Sequence, residues 1–208
     1  MTRIKVCGLC DGRDLDLALS SGVDAVGFVV EIAGSRHRLS AEEAASLIVS
    51  VPVFVQSVAV IQPSSVHDAL SLAELTGADV LQVQGSLGPL EMAALRSQVS
   101  AKVIAAVDPA YPQATDFASC ADALLVDTLH AGMLGGSGRV HDWQASARLA
   151  RQIPIPLILA GGLNVGNVAA AVRAVRPYAV DVSSGVEQDG RKDPKLVREF
   201  VEAVRLCR

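Results

Sequence analysis

The chain has 208 residues and a formal net charge of −4, with half of its residues hydrophobic and only 3% aromatic. That length suits one substantial core, and the scarcity of aromatic residues means that this core must be aliphatic. The sequence lacks the basic stripe that would indicate a nucleic-acid partner. No apolar run approaches the ~20 residues that a membrane helix needs. A β-type run begins at Arg3, which leaves no room for a signal peptide, so a cytoplasmic protein with reduced cysteines is expected.

Short β-type runs alternate with helix-type segments along the chain. Strands are predicted at residues 3–7, 24–30, 54–61, 79–83, 102–107, 122–126, 155–160 and 179–182. A helix is predicted to start at Asp11, and others at residues 41–50, 65–76, 89–98, 143–152, 165–175 and 194–206. The spacing is that of a minimal βα repeat. We therefore predict an α/β fold, a single (β/α)8 barrel domain over residues 1–208, with a doubly wound open sheet as the alternative.

A weak internal repeat supports the barrel. Residues 22–24, 77–79 and 120–122 read Gly-Val-Asp, Gly-Ala-Asp and Cys-Ala-Asp, and each is followed by an apolar strand. Residues 178–181 form a looser fourth copy that ends at Asp181. Because the copies are about two βα units apart, they are expected to mark the even-numbered strands.

Cys7 closes the first apolar run and is followed at once by Gly8. Chemistry in parallel α/β folds takes place at this end of a strand, where a thiol can act as nucleophile or base if its pKa is lowered. Lys5 points to the same strand face and is expected to lower that pKa. A buried structural cysteine is the alternative. Cys10 completes a Cys-x-x-Cys pattern, which leaves a redox dithiol open, whereas zinc would need two further ligands.

Two loops in the C-terminal third predict a phosphate site. The loop after strand 155–160 contains Gly161 and Gly162, and a helix is expected to begin shortly afterwards. The loop after strand 179–182 contains Ser183, Ser184 and Gly185. These are the loops after strands seven and eight, where barrels of this kind hold phosphate on backbone N–H groups. Ordinary turn and capping use is the alternative.

Other strand ends carry charged residues. Asp127 directly follows strand 122–126 and is a catalytic candidate, and the glycine-rich residues 128–140 after it are flexible enough to cover a ligand. Asp108 is followed by proline and is interpreted as a turn residue. Residues 35–38, Ser-Arg-His-Arg, follow the second strand. They either bind a carboxylate or phosphate or form a solvated loop.

Together these residues resemble the phosphoribosylanthranilate isomerase family of tryptophan biosynthesis, in particular its archaeal-type members. The shared motifs are Lys-Val-Cys-Gly at 5–8, Asp-Ala-Val-Gly-Phe at 24–28, Gly-Gly-Ser-Gly at 135–138, His-Asp-Trp at 141–143, Ala-Gly-Gly-Leu-Asn at 160–164 and Val-Ser-Ser-Gly-Val-Glu at 182–187. The resemblance covers essentially the whole chain. It implies a (β/α)8 barrel that uses neither a metal nor an organic cofactor.

The resemblance also implies a reaction, the Amadori rearrangement of N-(5-phosphoribosyl)anthranilate to an aminodeoxyribulose phosphate. Cys7 would be the general base that takes the C2′ proton, and Asp127 the general acid that protonates the ring oxygen. Such a rearrangement needs one acid to open the ring and one base to move a carbon-bound proton. Arg36, Gln84 and Asp181 would bind the substrate. The phosphate would lie on Gly161, Gly162, Ser183, Ser184 and Gly185.

Two positions depart from the family pattern. The arginine that holds the anthranilate carboxylate falls at His37 in an ungapped comparison, so Arg36, His37 and Arg38 all remain candidates, with Arg36 favoured. The usual histidine after strand four is Gln84, which can form hydrogen bonds but cannot titrate as histidine does.

Three other functions stay open. They are an isomerase of another phosphoribosyl amine, a thiol–disulfide redox protein using Cys7 and Cys10, and a non-catalytic sugar-phosphate-binding barrel. The expected partner is a small phosphoribosyl substrate, with no nucleic acid or membrane, and the expected assembly is a monomer or a homodimer.

Overall fold

A computed structural model describes residues 1–111, 113–127, 129–130, 133–134 and 142–207. Eight parallel strands form its centre: β1 (Arg3–Cys7), β2 (Ala25–Val30), β3 (Gln56–Ile61), β4 (Val80–Gln84), β5 (Lys102–Val107), β6 (Ala123–Val126), β7 (Leu157–Leu159) and β8 (Ala179–Val182). Each strand pairs with its neighbour in chain order, and β1 pairs with both β2 and β8, so the sheet closes. The predicted (β/α)8 barrel is confirmed, and the open sheet is excluded.

Helices surround the barrel. They are α1 (Gly12–Ser20), α2 (Ala41–Ile48), α3 (Val66–Thr76), α4 (Pro89–Gln98), α5 (Trp143–Gln152), α6 (Val168–Val175) and α7 (Pro194–Arg205). Side chains cap their starts: Asp11 accepts from the backbone N–H of Asp14, and Ser40 and Glu43 form a capping box. Between β5 and β6 a 3-10 helix, Ala114–Ser119, takes the place of an α-helix. In the described ranges no helix is both long and apolar enough to cross a bilayer.

The core is mostly aliphatic, as expected, with Phe28 and Phe200 as its fully buried aromatic residues in the described part of the chain, and it forms two layers. Successive strand residues point to opposite faces, so Ala59 and Ile61 of β3 pack under the helices. Val58 and Val60 fill the barrel interior instead, in the same cluster as Cys7. Cys7 therefore lies inside the barrel and not between the barrel and its helices.

Three of the repeated aspartates fasten strand starts at the amino-terminal end of the barrel. Each accepts a hydrogen bond from a backbone N–H of the preceding strand: Asp24 from Ile4 (2.8 Å), Asp79 from Ser57 (2.8 Å) and Asp122 from Val103 (2.9 Å). Asp181 lies within β8 and is buried. The interpretation of residues 178–181 as a fourth copy is therefore wrong in its register, since Tyr178, not Asp181, precedes the strand.

Candidate active site

The two residues expected to transfer protons lie at the end of the barrel where the strands finish. Cys7 is the last residue of β1, and Asp127 directly follows β6, where its N–H donates to the Val107 carbonyl at 3.3 Å. In the closed sheet β7 and β8 lie between β1 and β6. Cys7 and Asp127 therefore lie at the ends of two strands that are separated by two others in the closed sheet.

A cluster of buried polar side chains lies inside the barrel, below its carboxyl-terminal end. The Lys5 ammonium donates to Oε1 of Gln82 and to Oδ2 of Asp181, each at 3.0 Å. The other carboxylate oxygen of Asp181 and the side-chain oxygen of Gln84 are buried without a hydrogen-bond partner in the described part of the chain. A buried acceptor without a partner costs about 1–3 kcal/mol. Two such acceptors, on residues expected to bind substrate, indicate a place for ligand hydroxyl groups.

Burial determines the acidity of Cys7. Burial raises the pKa of the thiol above its ordinary 9.0, and the nearby Asp181 carboxylate adds to this, whereas the Lys5 and Lys192 ammonium groups act in the opposite direction without reversing it. Lys5 thus acts on the pKa of Cys7 in the expected direction, but burial outweighs it and the pKa is raised. Burial also disfavours the Lys5 ammonium, but Asp181 and Cys7 outweigh that effect and raise the pKa of Lys5.

Two glycines allow other chain segments to approach Cys7. A Cβ on Gly27 would lie 2.8 Å from Sγ of Cys7 and 3.0 Å from Cε of Lys5. Gly8 has φ +75°, and a Cβ there would lie 2.9 Å from Nδ1 of His37 and 3.0 Å from Oγ of Ser183. Any larger residue at either position would push these groups apart. The loops after β2 and β8 therefore meet over the end of β1.

The two predicted phosphate loops are in contact. Gly161 and Gly162 have φ values of +81° and +63°, which favour glycine. A Cβ on Gly185 would lie only 1.8 Å from the Leu163 carbonyl oxygen, so only glycine fits where the loops after β7 and β8 cross. The helix expected at 165–175 begins later, at Val168, because the Asn167 side chain bonds back to Gly162 and Asn164. The structure thus brings all five predicted phosphate-binding residues to one place.

The basic residues after β2 separate into two groups. Arg36 forms an ion pair with Glu187, and Nε2 of His37 lies 3.0 Å from Oε1 of the same carboxylate. Arg38 pairs instead with Glu31. Glu187 follows the β8 phosphate loop, so Arg36 and His37 are held next to the other predicted site residues while Arg38 is engaged elsewhere.

Sequence reasoning assigned no role to Lys192, which the structure places in the site. Its ammonium contacts Glu187 and lies 3.3 Å from both the carbonyl oxygen and Oγ of Ser183. Although burial alone would raise the pKa of Glu187, His37 and Lys192 lower it to about 2. The position of Lys192 between Arg191 and Asp193, just before a helix, gives no sign that its side chain is buried.

Some predictions fall away from the site or outside the described residues. Thr128, residues 131–132 and residues 135–141 of the glycine-rich segment lie outside the described residues.

Asp108 accepts from the Ala110 N–H at 2.7 Å, which confirms its interpretation as a turn residue. Cys7 and Cys10 are both free thiols. In the described part of the chain no group of three or more His, Cys, Asp or Glu residues is arranged to hold a metal ion.

A closed barrel whose candidate catalytic side chains lie at the carboxyl ends of the strands has the architecture of the (β/α)8-barrel enzymes. Comparison with known proteins narrows that class. The family model for N-(5'-phosphoribosyl)anthranilate (PRA) isomerase matches residues 4–203. The chain therefore belongs to the PRA isomerase family.

Individual relatives agree with this assignment. An N-(5'-phosphoribosyl)anthranilate isomerase from Methanothrix thermoacetophila is 53% identical over 207 residues, covering 100% of both chains. The crystal structure of the Thermotoga maritima phosphoribosyl anthranilate isomerase superposes with a TM-score of 0.87 at 32% identity, covering 99% of both chains. A second structure, of a phosphoribosyl anthranilate isomerase in complex with reduced 1-(o-carboxyphenylamino)-1-deoxyribulose 5-phosphate, has a TM-score of 0.84 at 30% identity, again covering 99% of both chains.

Proposed function

We propose that this chain catalyses the Amadori rearrangement of N-(5-phosphoribosyl)anthranilate to 1-(2-carboxyphenylamino)-1-deoxyribulose 5-phosphate in tryptophan biosynthesis. The observation that carries the proposal is the family match over residues 4–203, combined with the positions of Cys7 and Asp127 at the mouth of the barrel. The reaction is an internal aldose–ketose isomerisation. It therefore consumes no oxidant or reductant.

Two proton transfers make up the chemistry. Asp127 donates a proton to the ribose ring oxygen, the ring opens, and the anthranilate nitrogen becomes an iminium. Cys7, as the thiolate, removes the C2′ proton, and the electron pair of that bond forms the C1′=C2′ double bond while the nitrogen becomes neutral. Return of a proton to C1′ and loss of the enol proton then leave a ketone at C2′. General acid and base catalysis of this kind contributes roughly 10²–10⁴-fold.

The thiolate must form in a buried place, which explains why the charges around Cys7 matter. The Lys5 and Lys192 ammonium groups favour the thiolate, whereas Asp181 opposes it. Lys5 is itself fixed by Gln82 and Asp181, so its charge stays below the sulfur. The raised pKa makes Cys7 a strong base once it is ionised.

Binding groups are available for each part of the substrate. The backbone of Gly161 and Gly162 and the loop of Ser183, Ser184 and Gly185 would hold the phosphate. Asp181 and Gln84, with their unpartnered oxygens, would accept hydrogen bonds from sugar hydroxyls. The aryl carboxylate would lie against the basic loop after β2, with Arg36 as the first candidate.

The same proposal covers the setting of the reaction. We place the enzyme in the cytoplasm, where free thiols such as Cys7 and Cys10 stay reduced. It would act as a monomer or homodimer on a small phosphoribosyl substrate, without a metal or organic cofactor.

A substrate comparison tests the proposal. The purified chain is mixed with freshly generated phosphoribosylanthranilate, and the loss of anthranilate-type fluorescence is followed while the product is identified by mass and NMR. The phosphoribosyl aminoaldose of histidine biosynthesis is assayed in parallel. Rapid conversion of the first compound alone is expected. Preferential conversion of the second would contradict the proposal and favour the paralogue.

A further inference from the structure

One carboxylate joins the two loops that would hold opposite ends of the substrate. Glu187, with a side chain 3% exposed, contacts Arg36 and His37 of the loop after β2 and Lys192 of the hairpin that follows β8. The side chains of Lys192 and His37 are only 1% and 13% exposed. We call Arg36, His37, Glu187 and Lys192 the Glu187 clasp.

The hairpin that carries the clasp is itself fixed in place. Glu187–Gln188 pairs antiparallel with Arg191–Lys192, which brings Lys192 opposite Glu187. The neighbouring residue Arg191 forms ion pairs with Asp11 and Asp14 at the start of α1. The ion pairs of Arg191 hold that side chain against α1. Lys192, the next residue along the strand, consequently points the opposite way, into the site.

Each side of the clasp reaches one end of the candidate site. On the phosphate side, the Lys192 ammonium lies 3.3 Å from the carbonyl oxygen and from Oγ of Ser183. On the other side, the His37 ring lies against Gly8, the residue after Cys7. Lys192 is therefore the clasp residue in contact with the phosphate loop, and His37 is the one that lies beside the end of β1.

The clasp differs from an ordinary stabilising ion pair. At the opposite end of the barrel Asp122 also contacts two cations, but both are exposed, Arg96 at 43% and Lys102 at 66%. In the clasp only Arg36 is exposed, at 57%, and the other three side chains are mostly buried. Burying charged partners costs several kcal/mol of desolvation in general, so a buried cluster is weak evidence for a stabilising role. Around Glu187 the positive charge also exceeds the single negative charge, which suits a place where a doubly anionic ligand arrives.

We propose that Glu187 and Lys192 are positioning residues that set the β2 loop against the phosphate loop, so that the aryl carboxylate and the phosphate are bound in one fixed relation. The inference rests on the proposed function, which supplies a substrate with an anionic group at each end. Lys192 acts on the phosphate end through Ser183. Glu187 acts on the aryl end through His37 and Arg36.

Two ligands separate these roles: the reduced product analogue, which carries the carboxyphenylamino group, and ribulose 5-phosphate, which lacks it. Glu187→Gln and His37→Ala are each expected to weaken binding of the analogue by about tenfold or more, because each removes one partner of a buried polar contact. Each should change ribulose 5-phosphate binding by less than about threefold. Lys192→Met is expected to weaken both ligands. Isothermal titration calorimetry gives the dissociation constants, and steady-state assays should show KM rising more than kcat falls.

A double-mutant cycle guards against simple loss of folding. The effects of Glu187→Gln and His37→Ala on analogue binding should not add, since both release the same loop. Asp122→Asn, which also removes a carboxylate with two cation partners, serves as the control for lost stability and should leave both affinities unchanged. The proposal is overturned if Glu187→Gln weakens both ligands equally, or if its effect adds fully to that of His37→Ala. A wild-type chain that binds neither ligand would instead contradict the proposed function.

Discussion

The two ends of the barrel use the same residue types for different purposes. At the amino-terminal end, Asp24, Asp79 and Asp122 each accept a backbone N–H of the preceding strand. At the carboxyl-terminal end, Asp181 lies inside the barrel with one oxygen paired to Lys5 and the other without a partner in the described residues. The aspartates at the amino-terminal end use their hydrogen bonds to hold neighbouring strands together. The buried Asp181, with one oxygen that lacks a hydrogen-bond partner in the described residues, lies at the end where a ligand is expected.

The two ends of the barrel should therefore respond differently to amino-acid substitution. Changes at the amino-terminal end should lower the free energy of unfolding without affecting catalysis. Changes at the carboxyl-terminal end should reduce activity by large factors with smaller effects on folding.

The largest effects are expected at the two proton-transfer residues. Cys7→Ala and Asp127→Ala should each lower kcat/KM by roughly 10²–10⁴-fold, because each removes a general acid or base. Cys10→Ser is the matched control and should retain most of the activity. Progress curves of fluorescence loss measure all three. If Cys10→Ser were as inactive as Cys7→Ala, a dithiol mechanism would be favoured instead.

Gly185→Ala should disrupt the phosphate site. Its Cβ would lie 1.8 Å from the Leu163 carbonyl oxygen, so the loops after β7 and β8 must separate. We expect binding of inorganic phosphate and of the reduced product analogue to weaken by at least about tenfold, since backbone donors lose their common geometry. Gly12→Ala is the control for an added methyl group without a clash, because a Cβ at Gly12 would meet nothing within 4 Å and Gly12, like Gly185, has no left-handed φ. Unchanged affinity in Gly185→Ala would contradict the assignment of this loop.

At the opposite end, Asp79→Ala should reduce stability and spare activity. The Asp79 carboxylate accepts from both N and Oγ of Ser57, which is buried, at 2.8 and 2.6 Å. Leaving these donors without a partner should lower the free energy of unfolding by about 1–3 kcal/mol. Urea denaturation measures this loss, and kcat/KM at 25 °C should stay within about twofold. A large loss of kcat/KM in the folded variant would contradict the division between the two ends.

The smallest effect is spectroscopic. Because burial raises the pKa of Cys7 above its ordinary value, its thiol should ionise at a higher pH than that of an exposed cysteine. The difference in thiolate absorbance between wild type and Cys7→Ala, followed from pH 6 to 11, should therefore have its midpoint above pH 9. A midpoint near pH 7 would mean that the lysines outweigh burial.

The fold could be predicted from the sequence because its determinants are local. Apolar runs such as 102–107 begin and end at charged or turn-forming residues, and the β5 strand has those bounds. The start of α6 was missed because Asn164 and Asn167 form side-chain bonds to the loop that delay the helix. Such bonds depend on loop geometry, which the pattern of apolar residues does not carry.

The candidate site was predictable in part. Cys7, Asp127 and the glycine loops stand at strand ends, so their approximate places follow from the barrel itself. The pKa of Cys7 depends on a balance between burial and charges brought from β8 and from the hairpin, and its sign could not be known from strand alternation. The partner of Arg36, Glu187, lies 151 residues further along the chain. Lys192 reaches Ser183 and Glu187 only because the hairpin folds back on the loop after β8.

The most direct test of the account is a crystal structure of this chain with the reduced product analogue bound. The account predicts the phosphate on Gly161, Gly162 and the loop of residues 183–185, with C2′ within about 3.5 Å of the Cys7 sulfur, the distance at which proton transfer begins. Asp127 should reach the sugar from the other side. An analogue bound with its phosphate elsewhere, or with C2′ turned away from Cys7, would contradict the central claim.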